Sequence, residues 1–381
     1  MSARANGRVS RDMAVAAAGS TVFSLSLGIC ALAVPLTALA HGYGVIEIGV
    51  LTAVSALFQT AARPAMGPVM RHIPDWMLIA AAGLALAVAN AILVISADLV
   101  PFLLSQLLQG LARAGYWTGI QTHAVRGPGP TVRAIATVNF YGSMGLLVGP
   151  LLAGSLAELS LNLALVIGAI LPLITLVLSF FLNRLPPFGP VLHSLPGRLW
   201  RRPLVIAGCW ACAVSGAWMG LLSSYVPVLL DDAGNSAALV GLLISVGYAA
   251  ALAGAAAVGI VCPSWTGRTF VVATLLAGAG TGVVALFASS PFIAACTLAG
   301  SGLGAGVLQS LGPALAADAV HREERGDAIA VTGTFRAAAQ FLGPLGVASV
   351  ISAIPIAAAM GLIGTCMLAP AWSARRLKPR S

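Results

Sequence analysis

Twelve stretches of about 20 apolar residues, each closed off by a short polar connection, leave this chain little choice of architecture. They fall near 14–38, 45–66, 76–97, 100–124, 134–157, 162–183, 204–229, 237–261, 269–289, 291–316, 328–352 and 354–373. Hydrocarbon offers no partner to a bare N–H or C=O, so such stretches satisfy their backbones internally, as α-helices. At 1.5 Å per residue, about 20 residues cross the roughly 30 Å apolar layer of a bilayer. Charged residues make up only 8% of the 381, against roughly a quarter in a soluble domain. The fold class expected is an all-α polytopic membrane protein with twelve transmembrane helices.

The net charge of +9 raises the question of a nucleic-acid partner, and the placement of the charges answers it. With alternate connections assigned to one side, Arg4, Arg8, Arg11, Arg71, Arg126, Arg133, Arg184 to Arg202, Arg268, Arg322, Arg325 and Arg375 to Arg380 fall together. The opposite connections carry Glu47, Asp98, Glu158, Asp231 and Asp232, and no Lys or Arg. This asymmetry is the positive-inside rule, which puts both termini in the cytoplasm and the chain in the cytoplasmic membrane. The basic balance therefore reports orientation. The partners expected are the lipid bilayer and a small-molecule substrate, with no nucleic acid, and the chain is expected to act as a monomer.

The second half repeats the first. Ile48-Gly-Val-Leu51 answers Val240-Gly-Leu-Leu243 and Gly67 answers Gly259, both at an offset of 192. Ala134-Ile-Ala136 with Gly149-Pro-Leu151 answers Ala328-Ile-Ala330 with Gly343-Pro-Leu345, at an offset of 194. Between the halves, residues 184–203 are rich in proline, glycine and arginine and read as a linker, with Trp200 among arginines as a membrane-surface anchor. The domains expected are thus an N-terminal six-helix bundle (1–183), a cytoplasmic linker (184–203) and a C-terminal six-helix bundle (204–381). The six cysteines lie in or at the ends of apolar runs and read as small hydrophobes, the Cys209-Trp-Ala-Cys212 pair included. Glycine strings such as Gly300-Ser-Gly-Leu-Gly-Ala-Gly306 follow no strand and read as helix-packing surfaces.

Within the fifth run, Gly145-Leu-Leu-Val-Gly149-Pro150-Leu-Leu-Ala-Gly154 combines a helix-kinking proline with glycines that strip one face bare. It resembles motif C of the major facilitator superfamily, Gly-x-x-x-Gly-Pro-x-x-Gly-Gly, with Ala153 in place of a glycine. Gly343 and Pro344 repeat it in the eleventh run. At the end of the second run, Gly67-Pro-Val-Met-Arg71 stands where that family carries motif A, with Arg71 replacing the motif's aspartate and Pro74 its second glycine. Arg325-Gly326-Asp-Ala328 is similar to the Arg-Gly-x-Ala that precedes helix 11 in the family. The resemblance covers essentially the whole chain. It implies two six-helix bundles related by a pseudo-two-fold axis, alternating access, and sliding at helices 5 and 11. Gly145, Gly149, Pro150, Gly154, Gly343, Pro344, Gly67 and Arg71 are the gating residues it suggests.

Chemistry in such a chain is sought at charges buried deep in a span, since a central arginine costs about 2.5 to 3.5 kcal/mol to insert. Arg113 is about 13 residues from Arg126, roughly 20 Å along the helix and beyond the reach of snorkelling. Arg336 is nine residues beyond Asp327, roughly 13 Å by the same rise. Gln106, Gln109, Arg113, Tyr116 with Trp117, and Ile120 recur at three or four, which sets polarity along one stripe. Thr332, Arg336 and Gln340 do so more sparsely. The resemblance implies that both arginines border one central chamber. The substrate-binding candidates are Arg113, Arg336, Gln109, Gln106, Trp117, Tyr141 and Gln340, with Asn139 secondary. His123, near the end of its span, reads as a solvated helix terminus, and residues 318–327 as a cytoplasmic salt-bridge cluster.

No carboxylate lies in mid-span, whereas proton-coupled cation exporters of the family usually keep one in the N-terminal half. No catalytic constellation, metal-ligand cluster or cofactor motif is readable, although an ion or proton gradient could drive the chain. The function expected is a secondary transporter that exports or exchanges an anionic or neutral amphiphilic compound. Three alternatives stay open: a multidrug/proton antiporter, an organic-anion importer or facilitator of the same fold, and a non-transporting membrane receptor or assembly partner.

Overall fold

The computed structural model describes residues 2–70, 72–126, 131–187, 202–258, 263–320 and 325–371. Arg71, most of the linker, Gly259, Cys262 and residues 321–324 of the expected salt-bridge cluster lie outside them. The first half forms α1 (Ser2–Ala40), α2 (Val45–Met70), α3 (Asp75–Ile95), α4 (Leu99–Val125), α5 (Thr131–Leu159) and α6 (Leu161–Ser179). The second forms α7 (Pro203–Leu222), α8 (Tyr225–Asp232), α9 (Ala237–Ala257), α10 (Thr266–Val284), α11 (Pro291–Asp318), α12 (Arg325–Val350) and α13 (Ile356–Cys366). A 3-10 turn, Pro263–Trp265, precedes α10, and no strand occurs among the described residues.

Nine described helices are long and apolar enough to cross a membrane by length and composition; the described α8 and α13 are too short for that set, and α4 and α12 fall outside it through lower hydropathy. These two carry Arg113 and Arg336, so their lower hydropathy comes from the polar stripes already noted. Thirteen helices serve twelve expected spans because the seventh is broken at Ser223-Ser224. There the Ser223 hydroxyl donates to the Met219 carbonyl (2.9 Å) and that of Ser224 to the Gly220 carbonyl (2.7 Å), in competition with the backbone ladder. Pro227 has no N–H to offer and its ring crowds the carbonyl four residues back, so it sits in the first turn of a new helix.

The chain divides into two compact units, residues 1–41 with 57–192 and residues 42–56 with 193–381. In the first, Phe23, Leu86, Ile79, Tyr116, Ile120 and Val138 form a core with at most 2% of each side chain exposed. The tightest seam joins α1 to α5. A Cβ on Gly149 would stand 2.5 Å from the Gly28 Cα, and one on Gly145 would overlap the Thr21 carbonyl. The bare face that resembles motif C is therefore filled by the backbone of α1 in the same unit.

The second unit repeats this seam between α7 and α12. A Cβ on Gly220 would lie 2.5 Å from the Gln340 carbonyl oxygen and 3.0 Å from the Pro344 Cδ. The glycine string of α11 is divided between two neighbours: Gly302 and Gly306 admit the α9 carbonyls of Gly247 and Ala251, and Gly304 that of Ala273 on α10. Residues 42–56 group with this unit because Gly49 leaves room for the tip of the Tyr225 ring, which any side chain there would strike.

Candidate functional site

Arg113 lies at mid-length on α4, half-buried, and its Nη2 donates to the Gln109 Oε1 at 3.0 Å. A spacing of four residues places the two side chains over one another on the helix face, as the stripe implied. Gln106 and Gln109 are 2% and 3% exposed, and the Nε2 of each has no hydrogen-bond partner among the described residues. The Ser105 hydroxyl, fully buried, is also without one. A little over two turns of α4 thus present two carboxamide donors, a hydroxyl and a guanidinium in a dry setting. Buried donors left unmatched are costly, of the order of 1–3 kcal/mol each.

Arg113 also lies within electrostatic range of Cys30 on α1. Cys30 belongs to a buried polar knot that joins three helices. Its thiol donates to the Asn90 Oδ1 (3.2 Å), and the Asn90 Nδ2 donates to the Ser26 hydroxyl (3.1 Å) and the Gly168 carbonyl (2.8 Å). The Ser26 hydroxyl closes on the same carbonyl at 2.7 Å. Asn90 is fully buried and holds α1, α3 and α6 together.

The rest of the stripe goes to packing. Tyr116 is fully buried and stacks on Phe23, with ring centroids 3.8 Å apart and planes 8° from parallel, while its hydroxyl donates to the Ser20 hydroxyl at 3.2 Å. Trp117 is half-buried, meets Tyr116 edge-on at 5.7 Å, and fills the space that Gly142 leaves open on α5. Tyr141 is 44% exposed and pairs edge-on with Phe140, and its carbonyl accepts a hydrogen bond from the Thr21 hydroxyl. Asn139, also exposed, accepts from the Gln121 side chain at 3.0 Å.

In the second unit Arg336 is half-buried on α12 and its Nη2 points at the Met219 Sδ, 3.7 Å away. A thioether is a weak acceptor for a guanidinium. Cys212 and Tyr248 lie within electrostatic range. Tyr248 meets Trp218 edge-on at 6.0 Å, and the Trp218 indole N–H donates to the Ser301 hydroxyl at 3.1 Å. Gln340 is half-buried, with its carbonyl against Gly220. Gly154 and Pro344 are buried in α5 and α12, and Gly67 lies in α2, its surroundings outside those described.

A second polar centre sits at the arginine-rich end of the first unit, where a solvated terminus was expected at His123. His123 is instead 2% exposed and Asp75 1%. The imidazole Nε2 is hydrogen-bonded to the Asp12 Oδ2 at 3.0 Å, and Nδ1 approaches the Asp75 Oδ2 at 3.1 Å, an ion-pair approach rather than an in-line hydrogen bond. The Arg126 Nη1 donates to the same Asp75 oxygen at 3.3 Å, and its Nη2 to the Pro186 carbonyl at 2.7 Å. The Asn183 N–H donates to the Asp12 Oδ1 at 2.8 Å and the Trp76 N–H to the Asp75 Oδ1 at 2.8 Å. No local motif marks this cluster, because its members come from residues 12, 75, 123, 126 and 183. The one readable sign is that all of them fall at span ends on a single side of the membrane.

Comparison with known proteins places these features in a family. Residues 16–344 match the sequence profile described as Major Facilitator Superfamily. No curated protein matches the chain. Among solved structures, a mutant of the nucleoside transporter NupG superposes with a TM-score of 0.78 at 10% identity, covering 96% of this chain and 99% of that one. A POT family transporter in complex with 5-aminolevulinic acid gives 0.77 at 13%, covering 97% and 96%. A bacterial homologue of the human lysosomal transporter Spinster, inward-facing and unoccupied, gives 0.75 at 14%, covering 97% and 95%.

Proposed function

Because the chain belongs to the Major Facilitator Superfamily, and is a multi-pass membrane transporter rather than an enzyme, we propose that it moves an anionic or neutral amphiphilic compound across the cytoplasmic membrane by alternating access. The direction is efflux or exchange, both termini are cytoplasmic, and the working unit is a monomer that needs no cofactor beyond an ion or proton gradient. Two bundles, 1–183 and 204–381, joined by the 184–203 linker, carry the cycle. Gly145, Gly149, Pro150 and Gly154, with Gly343 and Pro344, are the gating residues of the conformational change, and Gly67 and Arg71 mark the inward gate.

The observation that carries the substrate class is the donor face of α4. Gln106, Gln109 and Arg113 present N–H groups, and two buried Nε2 atoms have no acceptor among the described residues. A ligand that brings carboxylate, sulfonate or carbonyl oxygens matches such a face, whereas a cation would meet a guanidinium with no mid-span carboxylate in the sequence to offset it. Arg336 is the second ligand residue, and the Met219 and Tyr248 side chains near it suit the apolar part of an amphiphile. Trp117, Tyr141 and Gln340 are the remaining substrate-binding candidates.

The test is thermal stabilisation of the detergent-solubilised chain by a panel of organic anions, neutral amphiphiles and lipophilic cations, in wild type and Arg113→Gln. A ligand that binds only the folded state raises Tm by mass action, about 2.7 kcal/mol at one hundred times its Kd. Stabilisation by anions that disappears in the variant supports the reading. Equal stabilisation of both proteins by cations would return the chain to the multidrug class, with Arg113 as a packing residue.

A further inference from the structure

The centre around His123 lies outside the substrate face and has a chemistry of its own. A neutral imidazole carries one N–H and one lone pair. Here both ring nitrogens meet carboxylate oxygens, at 3.0 and 3.1 Å, so a neutral ring would press one lone pair against a carboxylate in a setting almost closed to water. The imidazolium has a proton for each side. Charge counting agrees. With His123 protonated, the two carboxylates of Asp12 and Asp75 are balanced by the imidazolium and the Arg126 guanidinium; without that proton the cluster holds one buried negative charge in excess. Helix ends point the same way, since Asp75 opens α3 while His123 and Arg126 close α4.

The groups that face His123 come from every neighbouring strand of chain. Asp12 belongs to α1, Asp75 to α3 and Arg126 to the end of α4, while beyond α6 the Asn183 N–H holds Asp12. Arg11 and Arg184 are exposed, the latter over the Trp76 ring at 5.5 Å. The side chain of Arg133 on α5 and residue Arg71 lie outside the described residues.

We propose that His123 is a buried proton-binding site whose imidazolium clamps Asp12 of α1 to Asp75 of α3 across the end of α4, and that loss of its proton releases the clamp. The sign follows from the geometry. The protonated form is the one the folded state holds, so the clamp is fully made at low pH and is lost as pH rises through the titration of His123 in the folded protein. With that end of the bundle in the cytoplasm, as proposed above, the site makes the inner mouth of the first bundle responsive to cytoplasmic alkalinity. The clamp itself does not depend on that orientation, nor on the identity of the substrate.

Two measurements on the full chain in detergent test it. In protein with ring-15N histidine, the resonance absent from His123→Arg should keep imidazolium shifts at pH 8. A neutral His123 at that pH overturns the proposal. In thermal unfolding from pH 6 to pH 10, wild type should exceed His123→Gln by several degrees at the acid end, with the gap closing as His123 titrates. A gap that stays constant through the titration, or no gap at all, also overturns it. Should His123→Gln fail to fold, His123→Arg serves instead: its permanent charge should keep Tm flatter with pH than wild type, and parallel curves refute the clamp.

Discussion

Gly149 and Gly343 occupy equivalent places in the two halves, yet the structure assigns them opposite tolerance for one added carbon. A Cβ on Gly149 would stand 2.5 Å from the Gly28 Cα, 2.6 Å from its carbonyl carbon and 2.8 Å from the Ile29 nitrogen, all backbone atoms that no rotamer change can move. Ordinary contact begins near 3.4 Å, so α1 and α5 must part by about 0.9 Å (3.4 less 2.5) to admit Gly149→Ala. At Gly343 the nearest atoms are the Cα, carbonyl oxygen and Cβ of Ala217, at 3.3, 3.4 and 3.5 Å, which is close to ordinary contact already. Both substitutions gain the same helix propensity, about 0.8–1.0 kcal/mol, so it cancels when the two variants are compared. What remains is overpacking, about 1–3 kcal/mol at Gly149 and a small fraction of that at Gly343. At about 2 °C per kcal/mol for a bundle of this size, Gly149→Ala should melt roughly 2–6 °C below Gly343→Ala. Tryptophan-fluorescence melting of the two purified variants measures the difference directly. Equal melting temperatures, or a lower value for Gly343→Ala, would refute the claim that the α1–α5 seam is set by backbone contact at Gly149.

Other outcomes follow from single residues. Asn90→Ala removes the acceptor of the buried Cys30 thiol and one of the two side-chain donors to the Gly168 carbonyl, which Ser26 still meets, and should cost about 1–3 kcal/mol in thermal unfolding; a variant as stable as wild type would show that the knot contributes nothing net. Tyr116→Phe removes one hydrogen bond to Ser20, about 1 kcal/mol, whereas Tyr116→Ala also removes the ring stacked on Phe23, about 3–5 kcal/mol; similar losses in the two would mean that the stack is not the larger contribution. Outside the spans, partial burial and then the neighbouring Asp232 hold the Asp231 carboxyl above the usual carboxylate range. The folded state there favours the protonated acid, and that contribution fades as pH rises through its titration, so Asp231→Asn should raise Tm at pH 7 and lose its advantage near pH 4. A pH-independent effect would remove the electrostatic explanation.

Much of the architecture can be read before any coordinates are known, because membrane helices are dictated by local properties. A run of about 20 apolar residues must close its own hydrogen bonds wherever it lies. The expected third span, 76–97, and the observed α3, Asp75–Ile95, accordingly differ by a residue or two. The pairing of Gln109 with Arg113 is equally local, fixed by helical spacing. The break after Leu222 was written there too, in two serines before a proline, but it shows only when side-chain competition for backbone carbonyls is considered together with hydropathy.

What tertiary structure alone decided is which side chains from distant spans share a buried volume. Tyr116 and Arg113 lie on one stripe, yet Phe23 and Ser20 take the tyrosine into the core while the arginine stays beside Gln109. Gly149 and Gly343 sit in matching motifs, and only the opposing helix makes one intolerant and the other permissive. His123 resembles a solvated helix end until Asp12 and Asp75, 111 and 48 positions away in the chain, close around it. Hydropathy is a property of each residue in turn and is summed along the chain. Burial and charge pairing depend on distances between helices, which the order of residues along any one helix does not contain.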